Sequence, residues 1–148
     1  MDNLVYGGAL GMNVTPKHGL RIEYLGTEKN QGADGTYYNW MGHSAEYVFN
    51  VTNSCLGEDD KRRVDMELFA GLDVMIHSSS LLDSKTRVGY NFGTQINANI
   101  TKSIALFIQP RFSFLPNDKI HAPSSHDKMQ YFTLFGIRYS HNRFKSMK

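Results

Sequence analysis

The stretch that decides the fold is residues 86–115, which read TRVGYNFGTQINANITKSIALFIQPRFSFL. Apolar side chains recur at every second position between Val88 and Ile100, and again between Ile104 and Phe114. A period of two residues indicates β-strand, because alternate side chains of a strand lie on opposite faces. The short break at Lys102 predicts an antiparallel hairpin. Each arm exceeds the roughly 5–6 residues of an ordinary strand and suits the roughly 9–11 residues of a strand tilted across a bilayer.

The same alternation continues on both sides of the hairpin. It predicts strands within residues 4–13, 20–25, 45–52, 64–77 and 131–140, with no amphipathic helix. Short links at residues 15–17 and 101–103 alternate with longer ones after Gly26, His77 and Leu115, although the CLGEDDKRR link is longer than a tight turn. The fold prediction is all-β: an antiparallel up-and-down transmembrane barrel, with residues 1–142 as one domain and 143–148 as a basic tail.

Seven strands are predicted in this chain. Bacterial single-chain barrels have an even number of strands, so the intact barrel is expected to have about eight, with the first strand absent here. The opening MDNLVYGGALG has no basic leader, no continuous apolar run and no small-residue cleavage site. We therefore expect a fragment or a chain whose leader has been removed.

Composition excludes several classes of protein. With 16 Lys and Arg against 14 Asp and Glu, the charge balance gives no reason to invoke nucleic acid. A single cysteine, Cys55, allows no internal disulfide. The hydrophobic content of 41% suits a membrane barrel as well as a soluble protein, because only alternate residues of a barrel face lipid.

Two features favour apolar residues outside and polar residues inside. No lysine lies within a predicted strand, whereas a water-facing sheet commonly uses lysine. The alternate positions that carry polar residues also hold small residues, which fit a narrow lumen. They include charges of both signs, which could pair across that lumen. The predicted lumen charge network is Arg21, Glu23, Glu46, Asp65, Glu67, Asp73, Arg87, Arg111 and Arg138. The predicted lipid-facing residues are Leu68, Leu72, Val74, Phe92, Ile96, Ile104, Leu106, Ile108, Phe135 and Ile137. The predicted interfacial aromatics are Tyr37, Tyr38, Trp40, Phe112, Phe114 and Tyr139.

Three segments resemble the small OmpA/OmpX-like outer-membrane β-barrels of Gram-negative bacteria. The sequence LFIQPRFSF, from Leu106 to Phe114, resembles the Leu-Phe-hydrophobic-acid-Pro-Arg-aromatic strand of barrels common in Bacteroidetes. GYNFGTQINANITKSIA and FGIRYSH resemble the preceding hairpin arm and the closing strand of that group. Gln109 replaces the usual acid, and a basic tail follows Tyr139 where such barrels end on an aromatic residue. The resemblance implies a location in the bacterial outer membrane, with lipid and the barrel-assembly machinery as partners.

The leading functional hypothesis is a non-enzymatic barrel with a polar, side-chain-filled lumen and no cofactor. Its role is structural or adhesive, or its outer loops bind a surface ligand or protein. A soluble lipocalin-like carrier is the alternative, and it requires Leu68, Leu72, Ile96, Ile104 and Ile108 to point inward. A lipid-modifying barrel enzyme is the second alternative, with His77 and Ser79 as its best candidates. The histidines show no metal-ligand spacing, so no metal site is predicted.

Overall fold

The computed structural model describes residues 5–27, 30–31, 37–59, 61–79, 85–101, 103–115 and 128–139. These ranges are almost entirely strand, as the period of two predicts. The elements are β1 (Val5–Asn13), β2 (His18–Thr27), β3 (Asn30–Gln31), β4 (Tyr37–Asn50), α1 (Val51–Leu56), β5 (Val64–Ser79), β6 (Lys85–Asn99), β7 (Ile104–Leu115) and β8 (Lys128–Tyr139).

One antiparallel sheet contains all the strands of the described residues, and seven of them follow the order β1-β2-β4-β5-β6-β7-β8. Within the same ranges, the two-residue β3 pairs with the start of β4 and does not extend the wall. Seven strands therefore run up and down in sequence order, which confirms the predicted fold class and the predicted number of wall strands. We call the end that carries residues 14–17, 51–59, 61–63, 100–101 and 103 the turn end, and the opposite end the loop end.

Side-chain contacts show that the sheet curls into a half-barrel. Arg111 on β7 forms ion pairs with Glu23 on β2 and Glu46 on β4, although β5 and β6 separate β4 from β7 in the sheet. Trp40 on β4 likewise packs against Phe132 on β8, with ring centroids 6.2 Å apart. Such contacts require the two margins of the sheet to face each other around a common interior, which we call the lumen.

The polarity of the half-barrel is the reverse of that of a water-soluble protein. The largest fully buried side chains are mostly polar: Arg111, Met75, Gln109, Asn91, Asn97, Asp73 and Ser113. Large apolar side chains on the opposite parity are exposed, for example Leu10 and Phe135 at 75% each. In the sheets of soluble proteins, apolar side chains are packed into the core and polar ones face water.

Several predicted boundaries are wrong. Strand β4 begins at Tyr37, eight residues before the predicted start at residue 45, and β5 and β6 reach Ser79 and Lys85. Residues 51–52 were expected in a strand, but they begin the helix α1. Asn50 explains this change, because its side-chain oxygen accepts a hydrogen bond from the backbone N–H of Asn53 at 2.7 Å and caps the helix.

The α1 link is fastened to the rest of the turn end. The Asn53 side chain donates to the Pro16 carbonyl at 2.9 Å and accepts from Arg62 Nη1 at 2.9 Å. The Asn99 side chain donates to the Arg62 carbonyl at 3.0 Å. The α1 link is thereby tied to the 14–17 link and to the end of β6. None of the helices in the described ranges is long and apolar enough to cross a membrane.

Candidate functional site in the lumen

Arg111 lies at the centre of the lumen and is completely buried, with 0% of its surface exposed. Strand β7 alternates strictly here, so Arg111 shares the inward face with the buried residues Gln109 and Ser113. Its Nη2 lies 2.7 Å from Asp73 Oδ1, and its Nη1 lies 2.9 Å from Glu46 Oε1. Nη1 also pairs with the Glu23 carboxylate. One guanidinium thus joins carboxylates from β2, β4 and β5.

Asp73 is the most fully satisfied carboxylate of this cluster. Its Oδ1 accepts from Ser44 Oγ at 2.6 Å and from Asn91 Nδ2 at 2.5 Å, in addition to Arg111. Its Oδ2 accepts from Ser113 Oγ at 2.7 Å. A buried carboxylate needs such donors, because the low dielectric of the interior makes an unpaired charge costly.

Arg21 extends the cluster toward β6. Its guanidinium lies 2.6 Å from Glu46 Oε2, and its Nη1 donates to Gln95 Oε1 at 2.5 Å. Gln95 then donates to Asn97 Oδ1 at 2.6 Å. The Phe69 ring lies beneath both cations, with its centroid 4.7 Å from Arg21 Cζ and 5.9 Å from Arg111 Cζ. This geometry allows cation–π attraction to supplement the ion pairs.

A second group of charges lies nearer the turn end. Arg138 Nη1 is 2.6 Å from Glu67 Oε1, which joins β8 to β5 across the lumen. Asp65 accepts from Asn99 Nδ2 at 2.6 Å and lies 3.5 Å from Arg62. Arg62 was not among the predicted members because it lies in a link rather than in a strand.

The structure therefore brings most of the predicted network together, in two groups. Arg21, Glu23, Glu46, Asp73 and Arg111 form what we call the central cluster. Arg87 is partly exposed and lies outside the ion pairs made by the described residues. The neutral members that sequence reasoning did not single out share the inward parity; they are Ser44, Phe69, Asn91, Gln95, Asn97 and Ser113.

The central cluster is suited to a structural role. Three carboxylates and two guanidinium groups engage one another or neighbouring amides and hydroxyls. Such a network, with its amide and hydroxyl partners, fixes the positions of five strands and occupies the lumen around Arg111 with ordered side chains. Within the described ranges, no group of three or more His, Cys, Asp or Glu residues could hold a metal ion.

The residues predicted to face lipid all lie on the outer face of the sheet. Each of these ten side chains, from Leu68 to Ile137, is at least 37% exposed. Contact with lipid itself stays a prediction. The carrier alternative needed Leu68, Leu72, Ile96, Ile104 and Ile108 inside, and this placement does not support it.

The predicted aromatic belt requires one correction. Phe112, Phe114 and Tyr139 lie on the outer face, and Phe112 packs against Phe92 with ring centroids 5.4 Å apart. Trp40 instead shares the inward parity of Ser44 and Glu46, and its ring packs against Phe132. The side chains of Tyr37, Tyr38, His77 and Ser79 lie outside the described part of the molecule, so the proposed His77 chemistry remains untested.

The class of structure defined here is a curled, up-and-down antiparallel sheet with a polar lumen. Searches with protein-family models and against curated protein sequences found no match to the chain. Among solved structures, the chain is similar to the crystal structure of the N-terminal β-barrel domain of Pseudomonas aeruginosa OprF. The TM-score is 0.58 and the identity 13%, over 91% of this chain and 85% of that one. This likeness supports the fold.

Proposed function

We propose that the protein is a non-enzymatic β-barrel protein of the bacterial outer membrane, with a structural role. The observation that carries the proposal is the reversed polarity of the half-barrel. Arg111 is 0% exposed while Ile137 is 73% exposed, and the contrast between buried polar and exposed apolar side chains recurs along β2, β4, β5, β6 and β7. Hydrocarbon is the solvent in which an exposed apolar wall is stable and in which charges must be enclosed.

The composition of the lumen supports a structural role rather than a wide pore. Side chains from β2, β4, β5 and β7 form the central cluster, Asn91 of β6 donates to it, and Phe69 lies against it. A narrow barrel of about eight strands has an interior that side chains can fill. We therefore propose little or no conductance at the level of Arg111. Binding of a surface ligand or protein by the loop end is a further prediction, made from the long links alone.

Fluorescence quenching by lipid tests the proposal directly. The full chain is refolded into phosphatidylcholine vesicles whose acyl chains carry bromine, a contact quencher of tryptophan. Native Trp40, the only tryptophan, lies inside against Phe132, so its emission should change little. A Phe92→Trp substitution in a Trp40→Phe background places the reporter on the outer face, where Phe92 is 53% exposed, and strong quenching is expected.

The matched pair of reporters separates the hypotheses. A membrane barrel predicts quenching at position 92 only, together with a shift in gel mobility when the folded protein is heated in detergent. A chain that stays soluble and monomeric without detergent, with equal emission from brominated and plain vesicles at position 92, would exclude the membrane barrel.

A further inference from the structure

The two outermost strands of the sheet, β1 and β8, leave a cleft between them. Among the described residues, β1 pairs only with β2 and β8 only with β7. A space of about 1900 Å³ extends from the lumen and the turn end to this cleft, and its lining includes Gly8 and Met12 of β1 and Phe135 and Ile137 of β8. An unpaired edge presents a row of backbone N–H and C=O groups. In hydrocarbon each of these groups costs several kcal/mol unless it is hydrogen-bonded.

Strand direction limits what can fill the cleft. Because seven wall strands alternate in direction, β1 and β8 run the same way, from the loop end to the turn end. Direct pairing of the two edges would create one parallel pair in an otherwise antiparallel sheet. A second copy inserted in the same orientation would place its β8 beside this β1, again in parallel. One strand running the opposite way pairs antiparallel with both edges.

On the β1 side, the inner surface beside the cleft carries little side-chain volume. The register with β2 places Gly7, Ala9 and Gly11 opposite the inward-facing Leu25, Glu23 and Arg21, so the middle of the inward face of β1 carries a single methyl group. Gln109 lines the same cleft, is 1% exposed, and has no hydrogen-bond partner for its Nε2 among the described groups. A buried amide donor of this kind calls for an acceptor.

We propose that the β1 and β8 edges form a receptor for one additional β-strand. Its span is about 9–11 residues and it runs antiparallel to both edges. The side chains on its outward face are apolar. Its inward face carries bulky side chains opposite the glycines of β1, together with an oxygen acceptor within hydrogen-bond distance of Gln109. The proposal rests on the proposed function, because the membrane is what makes two unpaired edges unfavourable.

Cross-linking with synthetic strands tests this inference on the full chain in detergent micelles. In a Cys55→Ser background, Leu10→Cys and Phe135→Cys each place a thiol on the outer side of one edge, where both residues are 75% exposed. The probe is a peptide of about 11 residues that alternates Leu or Val with Gln or Tyr and carries one outward cysteine. Its control has the same composition in separate apolar and polar blocks. Leu72→Cys, outward but in the middle of the sheet, is the control position on the protein.

The alternating peptide is expected to form a disulfide with either edge variant, one peptide per chain. The block peptide and the Leu72→Cys variant should each react at least about tenfold more weakly. Equal reaction at all three positions would overturn the proposal. So would an intrachain disulfide in the Leu10→Cys/Phe135→Cys double variant without peptide, which reports direct closure, or an interchain disulfide, which reports closure by a second copy.

The two proposals fail in different ways. If position 92 is not quenched by brominated lipid, the membrane function fails regardless of the peptide. If it is quenched and the alternating peptide is not captured, the membrane barrel stands and only the strand receptor is wrong.

Discussion

Arg111 on β7 and Asp73 on β5 meet in the lumen with 2.7 Å between Nη2 and Oδ1, although β6 lies between their strands in the sheet. Neither side chain is more than 2% exposed. This contact joins β5 to β7 across the interior of the curled sheet. It also places a guanidinium where three carboxylates would otherwise repel one another.

Removing this guanidinium should therefore be among the most damaging single changes. We expect Arg111→Met to lower the free energy of unfolding by about 3–5 kcal/mol, because it leaves buried carboxylates without a partner. Urea titration in lipid vesicles, followed by Trp40 fluorescence, measures the change. Arg87→Met is the matched control, since Arg87 lies outside the ion pairs of the described residues; its cost should stay within about 0.5 kcal/mol. Equal costs for the two variants would contradict the central role of Arg111.

The Arg111–Asp73 contact should also appear as an energetic coupling. In a double-mutant cycle of Arg111→Met and Asp73→Asn, we expect a coupling of about 0.5–3 kcal/mol, because the two residues share one hydrogen-bonded network. Glu67 pairs with Arg138 rather than with Arg111, so Glu67→Gln provides the control cycle. That cycle should be additive within about 0.5 kcal/mol. Additivity in the Asp73 cycle would show that the two side chains act independently.

In a membrane barrel, the cost of an outward-facing arginine depends on how deep in the bilayer its position along the strand lies, and a soluble protein would show no such dependence. Leu72 lies in the middle of β5 and Val64 at its turn end, with similar exposures of 53% and 56%. Arginine on the lipid face costs about 2–4 kcal/mol at the bilayer midplane and about 0–1 kcal/mol near the interface. We therefore expect Leu72→Arg to destabilise the vesicle-bound protein by at least about 2 kcal/mol more than Val64→Arg. In water both positions would tolerate arginine equally, and that result would count against the membrane wall.

The architecture was predictable because its signal is local and repeated. The alternation of apolar and polar residues around Gly89 and Ala105 specifies the strands, and the short breaks between the long alternating stretches specify the topology. The absence of lysine from most of the wall indicates which face is apolar and outside. The members of the lumen network were predictable from the same alternation, because they occupy the inward-facing positions of their strands. The pairing within it did not, because which carboxylate meets Arg111 depends on the curvature of the sheet.

The errors arose where one local interaction outweighs the alternation. The Asn50 side chain accepts a hydrogen bond from the backbone N–H of Asn53 and caps a helix that begins at Val51, where the apolar pattern alone predicts a continuing strand. Trp40 follows the inward parity of its strand and packs against Phe132, even though its neighbours in sequence suggest an aromatic belt. Strand ends such as Ser79 are polar, so the alternation of apolar residues does not reveal them.

Close approach of two strands at Gly71 provides the last prediction. A Cβ at Gly71 would lie 2.1 Å from the Ala45 carbonyl oxygen and 2.8 Å from Glu46 Cα, and both are backbone atoms of β4. Because a backbone cannot move aside as a side chain can, Gly71→Ala should separate β4 from β5 and cost about 1–3 kcal/mol. At Gly8 a Cβ would meet nothing within 4 Å, so Gly8→Ala should be neutral or stabilising by up to about 1 kcal/mol. Urea midpoints of the two variants in the same vesicles measure the difference. A Gly71→Ala midpoint no lower than that of Gly8→Ala would mean that the two strands do not approach as closely as described.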